Sequence, residues 1–485
     1  MVKSVIIVGS GTAGLIAGLL LKSWYSDWNI TIISSTKIEI IGVGEGSTEH
    51  WRGFMASANI SFKDIFTNTD ATMKAGIKFV NWNGDNNYYF HALHTAFTST
   101  LPSTILGFLL KKSLDNEKLW PEHIDNSLHH YPFEDSVNQF HFDTFKLNSF
   151  FVNLAKKRSI EFIDDKIVDT TLDENGYIEN ILGEKNNYTA DFFIDASGFT
   201  KILTKKMNLK WIDCSKFLPM NRAITFASPL PEKIPSYTES IAMSSGWAWK
   251  IPTQERVGNG YVFSSDFLTN NNAIEEIESF YQKENLEINK SINFSAGFID
   301  KFWNKNCLSI GLSSSFVEPL EATSIGTTIQ QMFAFNNFIN FYQKNDEIAP
   351  NKYNKIFNEV LWNIIDFIQL HYITKREDSD FWKTIKNEIH LTEFNLKYLD
   401  LFKNTGPANF LFDSRWNLFS DQNYFQIMNG LDMFNKKNLK NIYNNQSDTQ
   451  KAAIDFTIQD YNSWASKMFF ESHNFAIYYF KNAET

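Results

Sequence analysis

The sequence predicts an α/β protein with a mixed β-sheet insertion and a mainly helical C-terminal region. Three observations carry this. A β-branched run, Ser4 to Val8, leads into Gly9-Ser10-Gly11-Thr12-Ala13-Gly14 and an apolar helical stretch, Leu15 to Lys22, followed by a second strand at Ile30 to Ile33. From about Asn221 to Ser265 the pattern is strand-like, and glycine-rich segments such as Gly258-Asn259-Gly260 read as turns. Beyond about Thr327 long amphipathic stretches such as Tyr353 to Tyr372 dominate, with few glycines.

The first observation is a βαβ unit. In that context Gly9, Gly11 and Gly14 fit a dinucleotide fingerprint, so the first part of the chain is expected to be Rossmann-like. The first glycine permits the tight turn, the second lets backbone approach a pyrophosphate, and the third allows close helix–strand packing. Thr12 and Ala13 open the helix whose N-terminus faces the phosphates. The acidic residue usual about 20 positions on is missing. Strand two ends in Ser34-Ser35, and the nearest acid is Glu39. Ser34 is the candidate partner for a ribose hydroxyl, and this motif alone leaves NAD and FAD open.

Two later segments favour FAD. Ile41-Gly42-Val43-Gly44-Glu45-Gly46-Ser47-Thr48 is a glycine-rich loop suited to wrapping a cofactor. Strands are expected at Tyr177 to Leu182 and Asp191 to Ile194, and the second leads into Asp195-Ala196-Ser197-Gly198, a small-residue turn that admits a second backbone segment to a flavin. Each alone reads equally well as an ordinary loop; together with the first motif they point to FAD. The expected architecture is a flavin monooxygenase-type FAD-binding module with β-sheet insertions over residues 1–330 and a helical substrate region over 331–485.

Composition narrows the partners. The chain has 485 residues, 43% hydrophobic and 21% charged, as in ordinary globular proteins. Its 45 Phe raise aromatic content to 16%, which reads first as a bulky core and second as an aromatic-lined pocket. A net charge of −10 does not match the basic face that nucleic-acid binding needs. Cys214 and Cys307 fit no metal or redox spacing and form no disulfide framework, so no metal site and a cytoplasmic location are expected. The apolar N-terminus runs into a glycine turn and reads as a buried strand, not a secretory signal. No apolar stretch is long enough to span a bilayer.

Further segments carry a resemblance: Gly246-Trp247-Ala248-Trp249-Lys250-Ile251-Pro252, the run from Phe316 to Thr323 (Phe-Val-Glu-Pro-Leu-Glu-Ala-Thr), His141-Phe142-Asp143, Arg256 to Ser265, and Arg376 to Trp382. A lone Trp pair two residues apart is more often core. Followed by Ile-Pro in an FAD-binding chain, it matches the WxWxIP signature. From Gly9 to about Trp382 the chain resembles the flavin-dependent tryptophan halogenases.

The resemblance implies that reduced FAD and dioxygen oxidise a halide to hypohalous acid, which passes through the protein to a lysine beside an aromatic substrate. That lysine is Lys74, in the Asp70 to Trp82 segment, with Lys78 as competitor. An arbitrary lysine is a solvated surface residue; burial here would disfavour its charged form and ready the amine for the oxidant. Glu321 takes the place of the family's essential carboxylate, with Glu318 as the alternative. The halide would lie against backbone amides of Thr323 and Ser324, where the usual glycine is replaced by Ser324; Ser315 likewise stands at a frequent glycine position. Trp247 and Trp249 would flank the tunnel and keep substrate from the flavin. His91 and Leu93, in Tyr88-Tyr89-Phe90-His91-Ala92-Leu93, and the lid pair Tyr424 and Phe425 would contact substrate.

Past Trp382 the match fades and does not place the acid by which tryptophan-specific members grip the amino group. The expected substrate is therefore an electron-rich arene such as an indole. No NADPH-binding module is evident, so a separate flavin reductase is expected to supply reduced FAD, and a homo-oligomer is compatible with the sequence. Two competing readings are a flavin monooxygenase that inserts oxygen, and an FAD-binding protein without catalysis. The presence of both Lys74 and Glu321 argues against the second.

Overall fold

The computed structural model describes residues 2–40, 42, 45–92, 111, 139–412 and 414–467. They fall into two units, each assembled from three chain segments. The first comprises Met1–Ala71, His141–Ser215 and Phe294–Leu361, and the second Thr72–Phe140, Lys216–Asn293 and Trp362–Thr485.

The first unit is built on a six-stranded sheet. Its order is Trp303–Asn304, Cys307–Ser309, Phe192–Asp195, Ser4–Val8, Asn29–Ser34, Glu161–Asp164. All neighbours run parallel except the hairpin formed by the first two. Buried parallel strands read as continuous apolar runs. Ser4–Val8 does so, with Val5, Ile6, Ile7 and Val8 all buried. The helix Thr12–Trp24 buries an unbroken run from Gly14 to Leu21. The expected βαβ unit is thus present, with its boundaries within three residues of those read from sequence.

Register brings five strand ends to one edge. Val8 pairs with Asp195, Ser34 with Asp164, and Asp195 with Ser309. Gly9, Ser34, the Asp195 turn and Gly311 therefore follow the carboxyl ends of neighbouring strands, the position at which open α/β sheets bind ligands.

The second unit centres on a seven-stranded sheet ordered Lys290–Asn293, Arg222–Ser228, Val257–Phe263, Gly246–Pro252, Tyr237–Ala242, Gly76–Val80, Tyr88–Ala92. Only the Tyr237–Ala242 and Gly76–Val80 pair is parallel. One face packs Ile224, Phe226, Ile241, Ala248, Tyr261 and Phe263 against Ala273 and Ile277 of the helix Asn270–Tyr281. From Thr323 onward every regular element among the described residues is helical, as expected.

Gly258-Asn259-Gly260 is not a turn. It lies inside the strand Val257–Phe263. The glycine at 260 is needed for space: a Cβ there would fall 2.1 Å from Cη2 of Trp249, whose ring lies across it.

Among the described residues no helix is long and apolar enough to cross a membrane. No group of three or more His, Cys, Asp or Glu among them is placed to hold a metal ion.

Candidate functional site

In the first unit the three glycines of the opening turn differ in what surrounds them. Gly9 has φ +113°, and a Cβ would lie 2.3 Å from the Ala196 carbonyl oxygen. A Cβ on Gly14 would lie 2.0 Å from the Gly9 carbonyl oxygen. These two are glycine because the fold closes on them. Gly11 meets nothing within 4 Å, and as N-cap it places no side chain over the helix start. Its open side is where the fingerprint seats a pyrophosphate. Gly198, at φ +69°, also has open space at its missing side chain.

The neighbours of this turn are held by residues that sequence reading passed over. The Asn148 amide donates to the Ser10 carbonyl (2.7 Å) from the helix Thr144–Lys157. Gly311, at φ +57°, packs its backbone on Ala13, with 2.7 Å between a built Cβ and the alanine methyl. Asp195 does not reach outward. Its carboxylate accepts from the Ser197 N–H (3.1 Å) and hydroxyl (2.6 Å), from the Leu203 and Thr204 N–H groups (both 3.0 Å), and from the Thr204 hydroxyl (3.1 Å). It fixes the loop that carries Gly198. Beside Ser34, Asp164 accepts from the Thr36 N–H (2.9 Å) and pairs with Lys185 (3.2 Å). An acid therefore does stand at the end of the second strand. It comes from a strand some 130 residues away in sequence, so no local motif signals it.

Gly42 packs on Thr144, where a Cβ would lie 2.7 Å from the threonine Cβ and Cγ2. Asp143 caps that helix by accepting from the Phe145 and Lys146 N–H groups (2.9 and 3.0 Å), which explains the His141-Phe142-Asp143 stretch. Glu45 pairs with Phe142. Burial pushes the Glu45 carboxyl up to about 7, against a lowering hydrogen bond from Thr144. Burial likewise pulls His50 down to about 4. Val43 and Gly44 lie outside the described residues.

Glu318 and Glu321 are both buried. Glu321 ends a 3-10 turn, Pro319–Glu321, and Ala322 then adopts φ +54° before the helix Thr323–Ile339. A left-handed alanine costs on the order of 1 kcal/mol, and it turns the chain between the carboxylate and the helix start. No side chain caps that helix, so its first N–H groups, at Thr323 and Ser324, suit an anion. Thr323 is buried, while the Ser324 side chain is exposed. The Ser315 hydroxyl lies 3.5 Å from that of Ser314.

In the second unit the two lysines separate. Lys74 is 2% exposed, and its N–H donates to the Gln139 carbonyl (3.1 Å) just before the strand Gly76–Val80. The Lys78 side chain is 19% exposed, 3.7 Å from Glu239 and over the rings of Tyr88 and Tyr237. Strand alternation puts Lys78 on the face opposite Ile77 and Phe79, which pair with His91 and Tyr89.

Trp247 and Trp249 are buried on that second face, ring centroids 6.0 Å apart at 52°. His91 is buried, and its Nε2 lies 3.0 Å from the Asn423 amide nitrogen. Its ring packs near Phe367 and Phe419. Tyr424 is enclosed by Phe367, Phe394, Phe402 and Phe412, and Phe425 packs on Phe434. Both side chains are buried on the helix Asp421–Gly430. Leu93 lies outside the described residues. The Arg376 to Trp382 stretch is an anchor: the Trp382 indole N–H donates to the Met243 carbonyl (2.8 Å) and the Ser379 hydroxyl to that of Ser244 (2.6 Å).

A family model described as tryptophan halogenase matches residues 4–446. Tryptophan 6-halogenase ThaL from Streptomyces albogriseolus is 29% identical over 451 residues, covering 84% of this chain and 83% of its own. The 7-chloro-L-tryptophan 6-halogenase KtzR from Kutzneria sp. (strain 744) is 28% identical over 426 residues, covering 79% and 81%. The solved structure of Xcc4156, a flavin-dependent halogenase from Xanthomonas campestris, superposes with a TM-score of 0.87 at 24% identity, covering 98% of each chain. The chain belongs to the tryptophan halogenase family, whose members are flavin-dependent halogenases.

Proposed function

We propose that the chain halogenates an electron-rich aromatic ring, such as an indole, with reduced FAD, dioxygen and a halide, and that Lys74 delivers the halogen. The observation that carries this is the contrast between two lysines four residues apart. Lys74 is buried just ahead of the strand Gly76–Val80, while the Lys78 side chain is partly exposed beside Glu239.

The residues present fit FAD. Gly9, Gly11 and Gly14, the helix start at Thr12 and Ala13, Ser34, the loop from Gly42 through Val43 and Gly44 to Glu45, and Gly198 would hold it. Asp195 acts through the Gly198 loop. The fit rests on Gly11 and Gly198, whose absent side chains leave open space where Gly9 and Gly14 do not. Bound reduced FAD supplies, with dioxygen, the two-electron oxidation of halide to hypohalous acid.

The chain's own residues do the rest. The uncapped helix start at Thr323 and Ser324 holds the halide by N–H donation. Lys74 Nζ holds the oxidant, by hydrogen bond when charged or as a haloamine when neutral. Glu321 accepts the proton that leaves the ring carbon after halogenation. Trp247 and Trp249 keep arene and flavin apart. His91, Leu93, Tyr424 and Phe425 are the candidate substrate contacts. A separate flavin reductase in the cytoplasm supplies reduced FAD.

The test uses the purified chain, a surrogate flavin reductase, chloride, bromide or iodide, and a panel of arenes followed by mass spectrometry. Addition of halogen in place of hydrogen supports the reading. Addition of one oxygen instead would establish the monooxygenase alternative.

A further inference from the structure

The sheet of the second unit carries a row of buried polar groups around Trp249, of which the scheme above uses only the Trp249 ring. Ser240, Trp249, Gly260 and Thr225 oppose one another across four neighbouring strands. Directly opposed residues share a face, here the face of Trp247 and His91. Ser240 and Thr225 are each 1% exposed and Trp249 5%. The Ser240 hydroxyl, the Trp249 indole N–H and the Thr225 hydroxyl are all sealed from solvent. None has a hydrogen-bond partner among the described residues.

A buried polar group without a partner loses its hydration and gains nothing in return. One such atom is a tolerable defect. Three along one line cover three strand spacings, roughly 14 Å at ~4.8 Å each. Between Thr225 and Trp249 the opposed residue is Gly260, and the Trp249 ring lies across it. The row runs from the edge strand, where Lys290 pairs with Thr225, to Phe79, which pairs with Ser240. Phe79 lies on the strand that Lys74 leads into.

The chemistry of the row selects its guest. An indole offers one donor, and each hydroxyl both donates and accepts. None of the three is charged. A small uncharged molecule that both donates and accepts fits, and water and hypohalous acid share that chemistry. We propose that this row is a binding track for such a guest, water at rest and hypohalous acid in turnover, and that Ser240 and Thr225 are positioning residues for halogen delivery. The proposal rests on the halogenase reading.

The experiment compares Ser240→Ala and Thr225→Val with the conservative Ser240→Thr and Thr225→Ser. Indole is the arene, bromide the halide, and a surrogate reductase supplies reduced FAD. Two quantities are read: halogenated indole per reduced FAD oxidised, and oxidant caught by an added β-diketone. The track predicts at least a threefold fall in yield for the alanine and valine variants, more trapped oxidant, and yields near wild type for the conservative pair. Unchanged yield in both Ser240→Ala and Thr225→Val overturns it. So does a higher melting temperature for Thr225→Val, which is isosteric and would relieve an unsatisfied hydroxyl only if the row were dry. A wild-type chain giving neither halogenated indole nor trapped oxidant sinks the halogenase reading and this proposal with it; the other two outcomes overturn the track alone.

Discussion

Replacing Glu45 and His50 by Gln, singly, separates two ionisations that oppose each other in the FAD-free protein. Burial raises the Glu45 carboxyl from its ordinary 4.5 to about 7. Between those values the folded chain keeps a proton that the unfolded chain releases, so stability falls as pH rises. The penalty is absent below about 4.5 and complete above about 7. Burial lowers His50 from 6.5 to about 4. There the unfolded chain binds a proton that the folded chain refuses, so stability rises with pH until about 6.5. Each displacement is 7 − 4.5 = 2.5 or 6.5 − 4 = 2.5 units, roughly 3 kcal/mol at 1.36 kcal/mol per unit. Both residues keep some exposed surface, so that figure is an upper bound. Thermal melts from pH 4 to 8 read the difference between each variant and wild type. Glu45→Gln should match wild type at pH 4 and exceed it increasingly up to pH 7. His50→Gln should exceed wild type at pH 4 and converge on it by pH 6.5. Differences that do not change with pH, or that change with the opposite sign, would refute the burial argument.

Three further outcomes follow from single positions. Gly11→Val should weaken FAD binding at least tenfold, about 1.4 kcal/mol, at unchanged melting temperature, because its Cβ meets nothing in the protein; a flavin-fluorescence titration with unchanged affinity would move the pyrophosphate elsewhere. Ala322→Gly should raise or hold the melting temperature by relieving φ +54°, by up to ~1 kcal/mol, while turnover falls because the Glu321 hinge gains freedom; undiminished turnover would show that the hinge needs no fixing. Gly260→Ala should lower halogenated product several-fold and cost ~1–3 kcal/mol of stability, since its Cβ would strike the Trp249 ring at 2.1 Å; equal yield would detach the ring's position from function.

Much of the first unit was legible because its signals are local. Ser4 to Val8, the glycine turn and the helix after it sit within 25 residues, and propensity and turn chemistry agree there. The misreading of Gly258-Asn259-Gly260 shows the limit. The need for glycine at 260 comes from a ring on the neighbouring strand, at Trp249, and composition reads only the glycines. The same applies to Asp164 beside Ser34 and to Asn148 on the Ser10 carbonyl, both supplied from more than 120 residues away. Spacing alone could not separate Lys74 from Lys78. Their difference appears in tertiary burial, which encloses Lys74 and leaves the Lys78 side chain partly exposed beside Glu239. Asp195 was legible as a turn residue but not as one whose carboxylate is wholly engaged by its own loop. Nothing in the order of the segments shows that each unit is assembled from three of them.

The central claim is that one lysine delivers the halogen while the flavin site works without it. The most direct test measures, in Lys74→Ala and Lys78→Ala, both reduced-FAD-dependent oxygen consumption and halogenated arene. Lys74→Ala should bind FAD and consume oxygen like wild type yet lose nearly all product, because the flavin segments belong to the first unit and Lys74 to the second. Lys78→Ala should retain product, since its ammonium faces Glu239 across the sheet from His91. Full activity in Lys74→Ala, or loss of product in Lys78→Ala alone, would contradict the account.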